Sequence, residues 1–300
     1  MTLGLWGKLR GRGGREVFPT MFGEAAVYAM PAEDGSLVRM LNVGGVLQSA
    51  TYLDERWAVC PFAYLRSFDH MFEAAGLAVR RVLMIGGAGF AYPKQLLTEH
   101  PGVKLDAVEI DPAMVAIARS HFFLDRLEAQ LAAEGRADDL RIFTEDGAAF
   151  LREGARSACA QHAEAKAAES TSAEAAESTQ AEATADGYGG HVPHGFSAYD
   201  VIVIDAFVGR DAVPFFASDE GIAAAKARLT PGGLLMANCV AEFTGDAMYR
   251  LFSQVERLRD HFAEVYVIDA SDEEFGGADN YLLIATDTPY PFTGVIPYGN

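Results

Sequence analysis

Short, continuously apolar runs alternate with segments of helical pattern along the chain from residue 81 to residue 285. Strands that are apolar on both faces are typical of a parallel sheet covered by helices on both sides. We therefore predict a doubly wound α/β domain with a mostly parallel seven-stranded sheet. Its predicted strands are 81–86, 104–109, 140–144, 199–205, 233–239, 265–269 and 281–285, and its predicted helices are 92–100, 112–122, 147–153, 218–229 and 246–261.

The chain before residue 60 has another pattern. Three short apolar segments, 25–30, 37–42 and 46–52, are separated by the turn residues Asp34-Gly35 and Gly44-Gly45. They predict a small antiparallel β unit, which is too small to fold alone and should pack on the main domain. The expected organisation is an N-terminal tail at 1–20, the β unit at 21–60 and the α/β domain at 61–300.

A low-complexity acidic segment interrupts the α/β pattern. Residues 161–186 include no Leu, Ile, Val, Met or aromatic residue, and they carry five Glu, one Asp and one Lys. Such a segment cannot bury enough apolar surface to offset its ordering entropy. We interpret it as an insertion spanning about 155–195.

Charge and cysteine content exclude several classes of protein. The net charge of −18 argues against nucleic acid as a partner, because binding phosphates needs a basic surface. The longest apolar runs are far too short to cross a membrane, so no membrane association is expected. The three cysteines are widely spaced, which predicts neither a disulfide framework nor a metal site and favours the reducing cytoplasm.

Ligands of open α/β sheets bind at the carboxyl ends of the strands, where this sequence places glycines and acids. Gly86-Gly87-Ala88-Gly89 follows the first strand, Glu109 the second, Asp146-Gly147 the third and Asp205 the fourth. Glycines allow close approach of a ligand, and an acid at the position of Glu109 commonly binds ribose hydroxyls. NAD is the competing ligand, but the turn departs from Gly-x-Gly-x-x-Gly and has no basic neighbour. The pattern favours an adenosine ligand without phosphates, with Asp146 near the adenine.

Several motifs resemble those of the spermidine synthases, the polyamine aminopropyltransferases within the S-adenosylmethionine-dependent methyltransferase fold. The resemblance covers about residues 40–240, and Asp205-Ala-Phe-Val-Gly209 is closest to a divergent branch of spermidine synthase-like proteins. The matching segments are Gly45–Gln48, Phe62–Tyr64, Val82–Gly87, Val108–Asp111, Asp146–Leu151, Tyr199–Asp205 and Leu229–Asn238.

The resemblance implies a transferase that moves an aminopropyl group from decarboxylated S-adenosylmethionine to a polyamine, without a metal. Asp205 would take a proton from the attacking amine, and Tyr64 would orient that amine. Asp211, six residues after Asp205, is a further candidate for binding the amine because of its position in the sequence. A homodimer is compatible with the resemblance. The implied cofactor site consists of Gln48, Gly86, Gly87, Gly89, Glu109, Asp146 and Gly147.

Two departures from the family pattern keep other functions open. Gly89 stands where the family has an Asp that faces the free amine of the decarboxylated cofactor, and Val208 stands where it has a second substrate-binding Asp. The Gly89 departure favours a methyltransferase that uses ordinary S-adenosylmethionine. A catalytically inactive homologue that binds a nucleoside is the third hypothesis.

Overall fold

A computed structural model describes residues 14–156, 191–192, 195–196, 198–208, 211–241, 246–272, 275 and 280–297. The strands are β1 (Glu16–Thr20), β2 (Gly23–Pro31), β3 (Leu37–Val43), β4 (Val46–Tyr52), β5 (Arg81–Ile85), β6 (Lys104–Val108), β7 (Leu140–Phe143), β8 (His191–Val192), β9 (Gly195–Phe196), β10 (Tyr199–Ile204), β11 (Phe207–Val208), β12 (Asp211–Ala212), β13 (Leu229–Val240), β14 (Glu264–Asp269) and β15 (Asn280–Thr286). The α-helices are α1 (Ala63–Arg66), α2 (Ala91–Glu99), α3 (Pro112–His121), α4 (Leu124–Ala133), α5 (147–156), α6 (Asp219–Lys226) and α7 (Asp246–His261). Short 3₁₀ helices are Ser67–Glu73, Ala137–Asp139 and Pro214–Ala217.

The central sheet confirms the predicted doubly wound α/β architecture. Its seven strands lie in the order β14-β15-β13-β10-β5-β6-β7. Strand β15 is antiparallel to both of its neighbours, whereas the remaining pairs are parallel.

Alternate residues of the central strands enter hydrophobic cores on opposite faces of the sheet. On β10, Val201 and Val203 join one core, while Ile202 and Ile204 join the other. Every residue of this strand is buried, as expected for its apolar run Val201–Ile204. The sheet is therefore covered on both faces, and its strand ends are the places where a ligand can approach.

The N-terminal unit is an antiparallel sheet in the order β1-β2-β3-β4. The three predicted strands are present, but β1 adds a fourth within the segment that the sequence analysis assigned to a tail. Phe18 of β1 packs against a core formed by residues of β2, β3 and α3, and its ring lies 5.0 Å from that of His121. This partly buried aromatic side chain anchors β1, and all five residues of the strand, Pro19 included, pair with β2 at the edge of the sheet.

A buried lysine of α2 joins the N-terminal unit to the main domain. Lys94 of α2 donates hydrogen bonds to the Oγ1 of Thr51 on β4 (2.8 Å), to the Trp57 carbonyl (3.0 Å) and to the Phe122 carbonyl (2.7 Å). Burial lowers the pKa of Lys94 to about 7. The ammonium has three oxygen acceptors, so the β unit is fixed on the main domain as expected for a sheet too small to fold alone.

Most of the predicted acidic insertion at 155–195 lies outside the described residues. Helix α5 extends to residue 156, three residues further than predicted, and β8 pairs with β9 as a two-residue antiparallel ladder near the far end of the segment. Within the described part of the chain, none of the helices combines the length and the apolar character that crossing a bilayer requires.

Candidate active site

A cavity of about 600 Å³ lies where the N-terminal sheet faces the carboxyl edge of the central sheet. The N-terminal sheet and the turn beside it contribute Phe22, Asn42, Gly45, Val46, Leu47 and Gln48 to its wall. The ends of β5, β6, β10 and β13 contribute Gly86, Glu109, Asp205 and Asn238. The cavity is thus in the place where α/β sheets bind ligands, and its size suits a nucleoside with an attached chain.

Gly86 brings two strand ends into direct contact. Its φ of +93° lies in the region that favours glycine, and a Cβ at this position would overlap the carbonyl oxygen of Asp205. The Asp205 amide also donates a hydrogen bond to the Ile85 carbonyl at 2.9 Å. Any side chain at position 86 would therefore force Asp205 away from the cavity.

The Glu109 carboxylate organises the glycine loop that follows β5. Its Oε2 accepts hydrogen bonds from the amides of Gly87 (3.0 Å) and Ala88 (2.9 Å), and its Oε1 accepts one from the amide of Asp111 (3.0 Å). Glu109 also lines the cavity. One buried carboxylate consequently fixes the loop and presents acceptor oxygens to a ligand.

Asp146 and Gly147 stand at the start of α5. The Oδ1 of Asp146 accepts a hydrogen bond from the Ala149 amide at 2.9 Å, so the side chain caps the helix while it faces the cavity. The apolar side chains of Ile110 and Met114 line the same end. This combination of flat apolar contact and a few polar atoms is what a purine ring requires.

Asp205 lies in the middle of the cavity wall at the end of β10. The Asn238 Nδ2 donates a hydrogen bond to its Oδ1 at 2.9 Å. Burial raises the pKa of Asp205 to about 6, although the hydrogen bond from Asn238 lowers it. A carboxylate with this pKa is ionised at neutral pH and can still accept a proton during a reaction.

Tyr64 lies on helix α1 and lines the same cavity as Asp205. Burial raises the pKa of its phenol well above the usual value, and the negative charges of Asp205 and Asp272 raise it further. The phenol is therefore protonated and available as a hydrogen-bond donor or acceptor.

Asp272 is a site residue that the sequence analysis missed. Its Oδ2 accepts a hydrogen bond from the Ala63 amide at 2.7 Å, and its Oδ1 accepts one from the Phe275 amide at 3.1 Å. Asp272, Phe275 and Asn280 all line the cavity. They belong to the connection from β14 to β15 and to the start of β15. That connection contains four acids, Asp272, Glu273, Glu274 and Asp279, and the sequence does not indicate which of them lines the cavity.

The structure brings together most of the predicted site residues. Seven line the cavity: Gln48, Tyr64, Gly86, Glu109, Asp146, Gly147 and Asp205. Gly87 acts through its amide on Glu109, and Gly89 lies against Ser49, whose Oγ would be 2.5 Å from an added Cβ. Asp211 is exposed in the β11–β12 hairpin and is not part of the lining, whereas Val208 of the same hairpin is.

The charge of the cavity has one sign. Its lining includes the acids Glu109, Asp146, Asp205 and Asp272, and none of the described residues in the lining is Lys, Arg or His. Throughout the part of the chain that the structure describes, no three His, Cys, Asp or Glu side chains are grouped so that they could hold a metal ion. The site is therefore suited electrostatically to a ligand that carries several positive charges.

Comparison with solved structures places this architecture among methyltransferase-like folds. A probable spermidine synthase from Corynebacterium glutamicum superposes with a TM-score of 0.61 at 18% identity, covering 92% of this chain and 81% of that one. A spermidine synthase in complex with the transition state analogue AdoDATO gives a TM-score of 0.56 at 15% identity, covering 92% and 72%. Human methyltransferase-like protein 13 in complex with SAH gives 0.52 at 18% identity, covering 77% and 86%.

These structures confirm the expected fold, and they include the spermidine synthases that the sequence motifs resemble. No protein-family model and no curated protein matches the chain in sequence. Identities of 15–18% establish the fold, so a function has to be argued from the cavity itself.

Proposed function

We propose that this chain is a transferase that uses an S-adenosylmethionine-type cofactor, and that it moves the aminopropyl group of decarboxylated S-adenosylmethionine to a polyamine. The observation that carries the proposal is the charge of the cavity: four carboxylates and no basic residue in the described lining. The decarboxylated cofactor has a sulfonium and an ammonium, and an amine acceptor adds further positive charge. A cofactor with a free carboxylate would enter this acidic cavity without a cationic partner.

The chain's residues divide between binding and proton transfer. Gln48, Glu109 and Asp146 hold the nucleoside at one end of the cavity. When bound, the cofactor supplies a carbon activated by the neighbouring sulfonium, which leaves as a neutral thioether. Asp205 binds the acceptor ammonium and accepts its proton, while the protonated Tyr64 orients the nitrogen. This help is needed because an alkylamine with a pKa near 10 is not a nucleophile at neutral pH.

A methyltransferase that uses ordinary S-adenosylmethionine is the second candidate, and Gly89 favours it. The resemblance to spermidine synthases predicts an Asp at position 89, where it would face the cofactor amine. Position 89 instead packs against Ser49 and Phe122, and an added Cβ would lie 2.5 Å from the Ser49 Oγ. A carboxylate at this position would require that serine to move. The carboxylate of ordinary S-adenosylmethionine is therefore disfavoured by the overall negative charge of the cavity and not by a side chain at position 89.

Ligand binding followed by turnover tests the proposal. We expect decarboxylated S-adenosylmethionine to bind at least tenfold more tightly than S-adenosylmethionine in calorimetry at pH 8, and to support transfer to a diamine. In thermal unfolding, a ligand at a hundred times its Kd stabilises by about 2.7 kcal/mol, which serves as a first screen.

The alternative functions predict other outcomes. Tight binding of S-adenosylmethionine without any aminopropyl transfer would reject the proposal in favour of the methyltransferase. Binding of methylthioadenosine with no turnover of either cofactor would favour the inactive homologue. If none of the three ligands binds, the nucleoside site itself is wrong.

A further inference from the structure

Asp205 lies where three neighbouring strands of the central sheet end side by side. Its strand, β10, is between β5 and β13. On the β5 side, the Asp205 amide donates a hydrogen bond to the Ile85 carbonyl at 2.9 Å. The Asp205 carbonyl lies against Gly86, where an added Cβ would overlap it. The backbone of Asp205 is therefore fixed by contacts with β5 and with the glycine that follows it.

The side chain of Asp205 is held from the opposite side, by β13. The Asn238 Nδ2 donates a hydrogen bond to the Asp205 Oδ1 at 2.9 Å. Asn238 is only 9% exposed. Its strand pairs with β10 next to it, at Ala237, and with β15 at Asn238 itself, opposite Leu282. A donor on a strand that is paired on both sides has little freedom to follow a rotating carboxylate, so this hydrogen bond fixes the orientation of the Asp205 side chain.

The two oxygens of the Asp205 carboxylate are consequently not equivalent. Among the described residues, Asn238 alone donates a hydrogen bond to this carboxylate, and it donates to Oδ1. The Oδ2 is left for a ligand in the cavity that Asp205 lines. When a proton binds to Oδ2, Oδ1 becomes the carbonyl oxygen of the acid and can keep the hydrogen bond from Asn238. The donor therefore does not have to move during a proton transfer.

We infer that Asn238 is a positioning residue, which holds the Asp205 carboxylate so that Oδ2 receives the proton of the acceptor nitrogen. The inference rests on the proposed function. The acceptor ammonium gives a proton to Oδ2, and the freed electron pair of the nitrogen forms the bond to carbon. The carbon–sulfur bond breaks with its electrons going to sulfur, which leaves as a neutral thioether. Because Asn238 acts through Asp205, its removal should matter little once the Asp205 carboxylate is absent.

A double-mutant cycle tests this dependence. The kcat for transfer from decarboxylated S-adenosylmethionine to 1,4-diaminobutane is measured at pH 8 for the wild type, Asn238→Leu, Asp205→Asn and the double variant. Leucine is close to asparagine in shape and lacks the donor. We expect Asn238→Leu to lower kcat by about tenfold to a hundredfold in the wild type, the scale of a hydrogen bond to a charged group. In the Asp205→Asn background it should lower kcat by less than about twofold.

Two kinetic results would overturn the inference. Equal fold losses in the two backgrounds would mean that Asn238 affects turnover independently of Asp205. An unchanged kcat of Asn238→Leu would mean that the hydrogen bond has no part in the reaction. Unaltered methylthioadenosine affinity in calorimetry shows that each variant is folded. If Asn238→Leu does not fold, Asn238→Ala replaces it in the cycle with the same expected outcomes.

The pH dependence of stability tests the same contact without turnover. The free energy of unfolding in urea is measured from pH 4 to pH 9 for the four proteins, and for Asp260→Asn, which removes an exposed carboxylate of α7. The difference between the wild type and Asp205→Asn should stop changing near pH 6, because burial raises the pKa of Asp205 to about 6. With Asn238→Leu in both proteins it should stop about one pH unit higher, since the lost donor had favoured the ionised carboxylate. Asp260→Asn should show no such change near pH 6, and levelling off at the same pH with and without Asn238 would overturn the inference.

The other titratable groups near Asp205 do not obscure this measurement. Burial raises the pKa of Tyr64 on α1 well above its usual value, and it raises the pKa of Cys239 on β13 to about 11. Both side chains are therefore neutral between pH 4 and pH 9. The remaining carboxylates of the lining, Glu109, Asp146 and Asp272, are common to both members of each compared pair, so their contributions cancel in the difference.

The two measurements separate this inference from the proposed function. Absence of aminopropyl transfer by the wild type would count against the proposed function alone, and the titration of Asp205 would still decide whether Asn238 holds its carboxylate. Transfer by the wild type together with full kcat in Asn238→Leu would count against this inference alone.

Discussion

Two carboxylates of the same cavity, Glu109 and Asp205, have opposite surroundings. Glu109 accepts three hydrogen bonds from backbone amides, those of Gly87, Ala88 and Asp111. Asp205 accepts one from the side chain of Asn238, and burial raises its pKa to about 6. Backbone amides hold the Glu109 carboxylate in place within the glycine loop. The Asp205 carboxyl group instead has a pKa close enough to neutral pH to exchange a proton there.

Under the proposed function, this difference assigns a separate task to each of the two carboxylates. A nucleoside needs acceptors at fixed positions, and backbone amides of consecutive residues hold Glu109 more rigidly than side chains could. Proton transfer needs a group whose pKa is near the working pH, and burial, which raises the pKa of Asp205 to about 6, provides such a group. Replacing each carboxylate with its amide should therefore have different consequences at the two ends.

The largest expected effect is on turnover at the acceptor end. Asp205→Asn removes the proton acceptor, so kcat should fall by about 10²–10⁴-fold. The remaining rate should rise from pH 7 to pH 10, as more of the amine loses its proton without help. Steady-state assays with decarboxylated S-adenosylmethionine and 1,4-diaminobutane measure both effects, and Asp260→Asn is the matched control. Full activity of Asp205→Asn would remove Asp205 from the chemistry.

The second effect is on nucleoside affinity. In Glu109→Gln the single amide oxygen can face the Gly87 and Ala88 donors or the Asp111 donor, and the NH₂ group then opposes the other amides. We expect affinity for methylthioadenosine to fall by about tenfold to a hundredfold, or 1.5–3 kcal/mol. Calorimetry provides the measurement. Asp205→Asn should keep the wild-type affinity for methylthioadenosine in the same experiment. An equal loss of affinity in both variants would contradict the proposal that Glu109 and Asp205 serve different parts of the ligand.

The third effect is on stability, where the two substitutions should differ in sign. The pKa of Asp205 is about 6 in the folded protein, against about 3.9 for an exposed Asp side chain, so the folded state binds this proton more tightly. Wild-type stability attributable to Asp205 therefore declines as pH rises from 4 to 6, and the full deficit, at most about 3 kcal/mol, is present above pH 6. Asp205→Asn should recover it at pH 8 and roughly half of it at pH 5.

Glu109→Gln should instead destabilise the protein by about 1–3 kcal/mol at both pH values, because it leaves buried backbone donors without acceptors. Urea unfolding at pH 5 and pH 8 measures the free energy of unfolding for each variant. If Asp205→Asn destabilised the protein at pH 8, the folded protein would have to stabilise the ionised Asp205 carboxylate, as it does the Glu109 carboxylate. That result would contradict the prediction.

Much of the site follows from the sequence because parallel strands place their carboxyl ends along one edge. Gly86, Glu109, Asp146 and Asp205 each follow an apolar run directly, so the order of runs was enough to group them. Asn238 is the last buried polar residue before the end of β13 and could have been included by the same rule. Its pairing with Asp205 depends on β10 and β13 being neighbours, which the sequence order does not state.

Other parts were beyond local patterns. Strand β1 is held by packing of Phe18 on a distant helix, and α4 begins after Phe123, whose φ of +62° separates it from α3. Asp272 reaches the cavity because its carboxylate binds the Ala63 amide, more than 200 positions earlier in the chain. These contacts join segments that are far apart in the sequence and that contain no distinctive motif. Composition and periodicity therefore do not predict them.

The sequence by itself determined the sheet, the glycine loop and the strand-end acids Glu109 and Asp146, because each is set by a run of residues that are neighbours along the chain. Only the tertiary structure decided which predicted residues line the cavity, that Asp205 accepts a hydrogen bond from Asn238, and that Asp272 rather than Asp211 belongs to the lining. The physical reason is that burial and long-range hydrogen bonding are properties of the packed molecule. They set the pKa of Asp205 and the position of Asp272, which the residue types alone leave open.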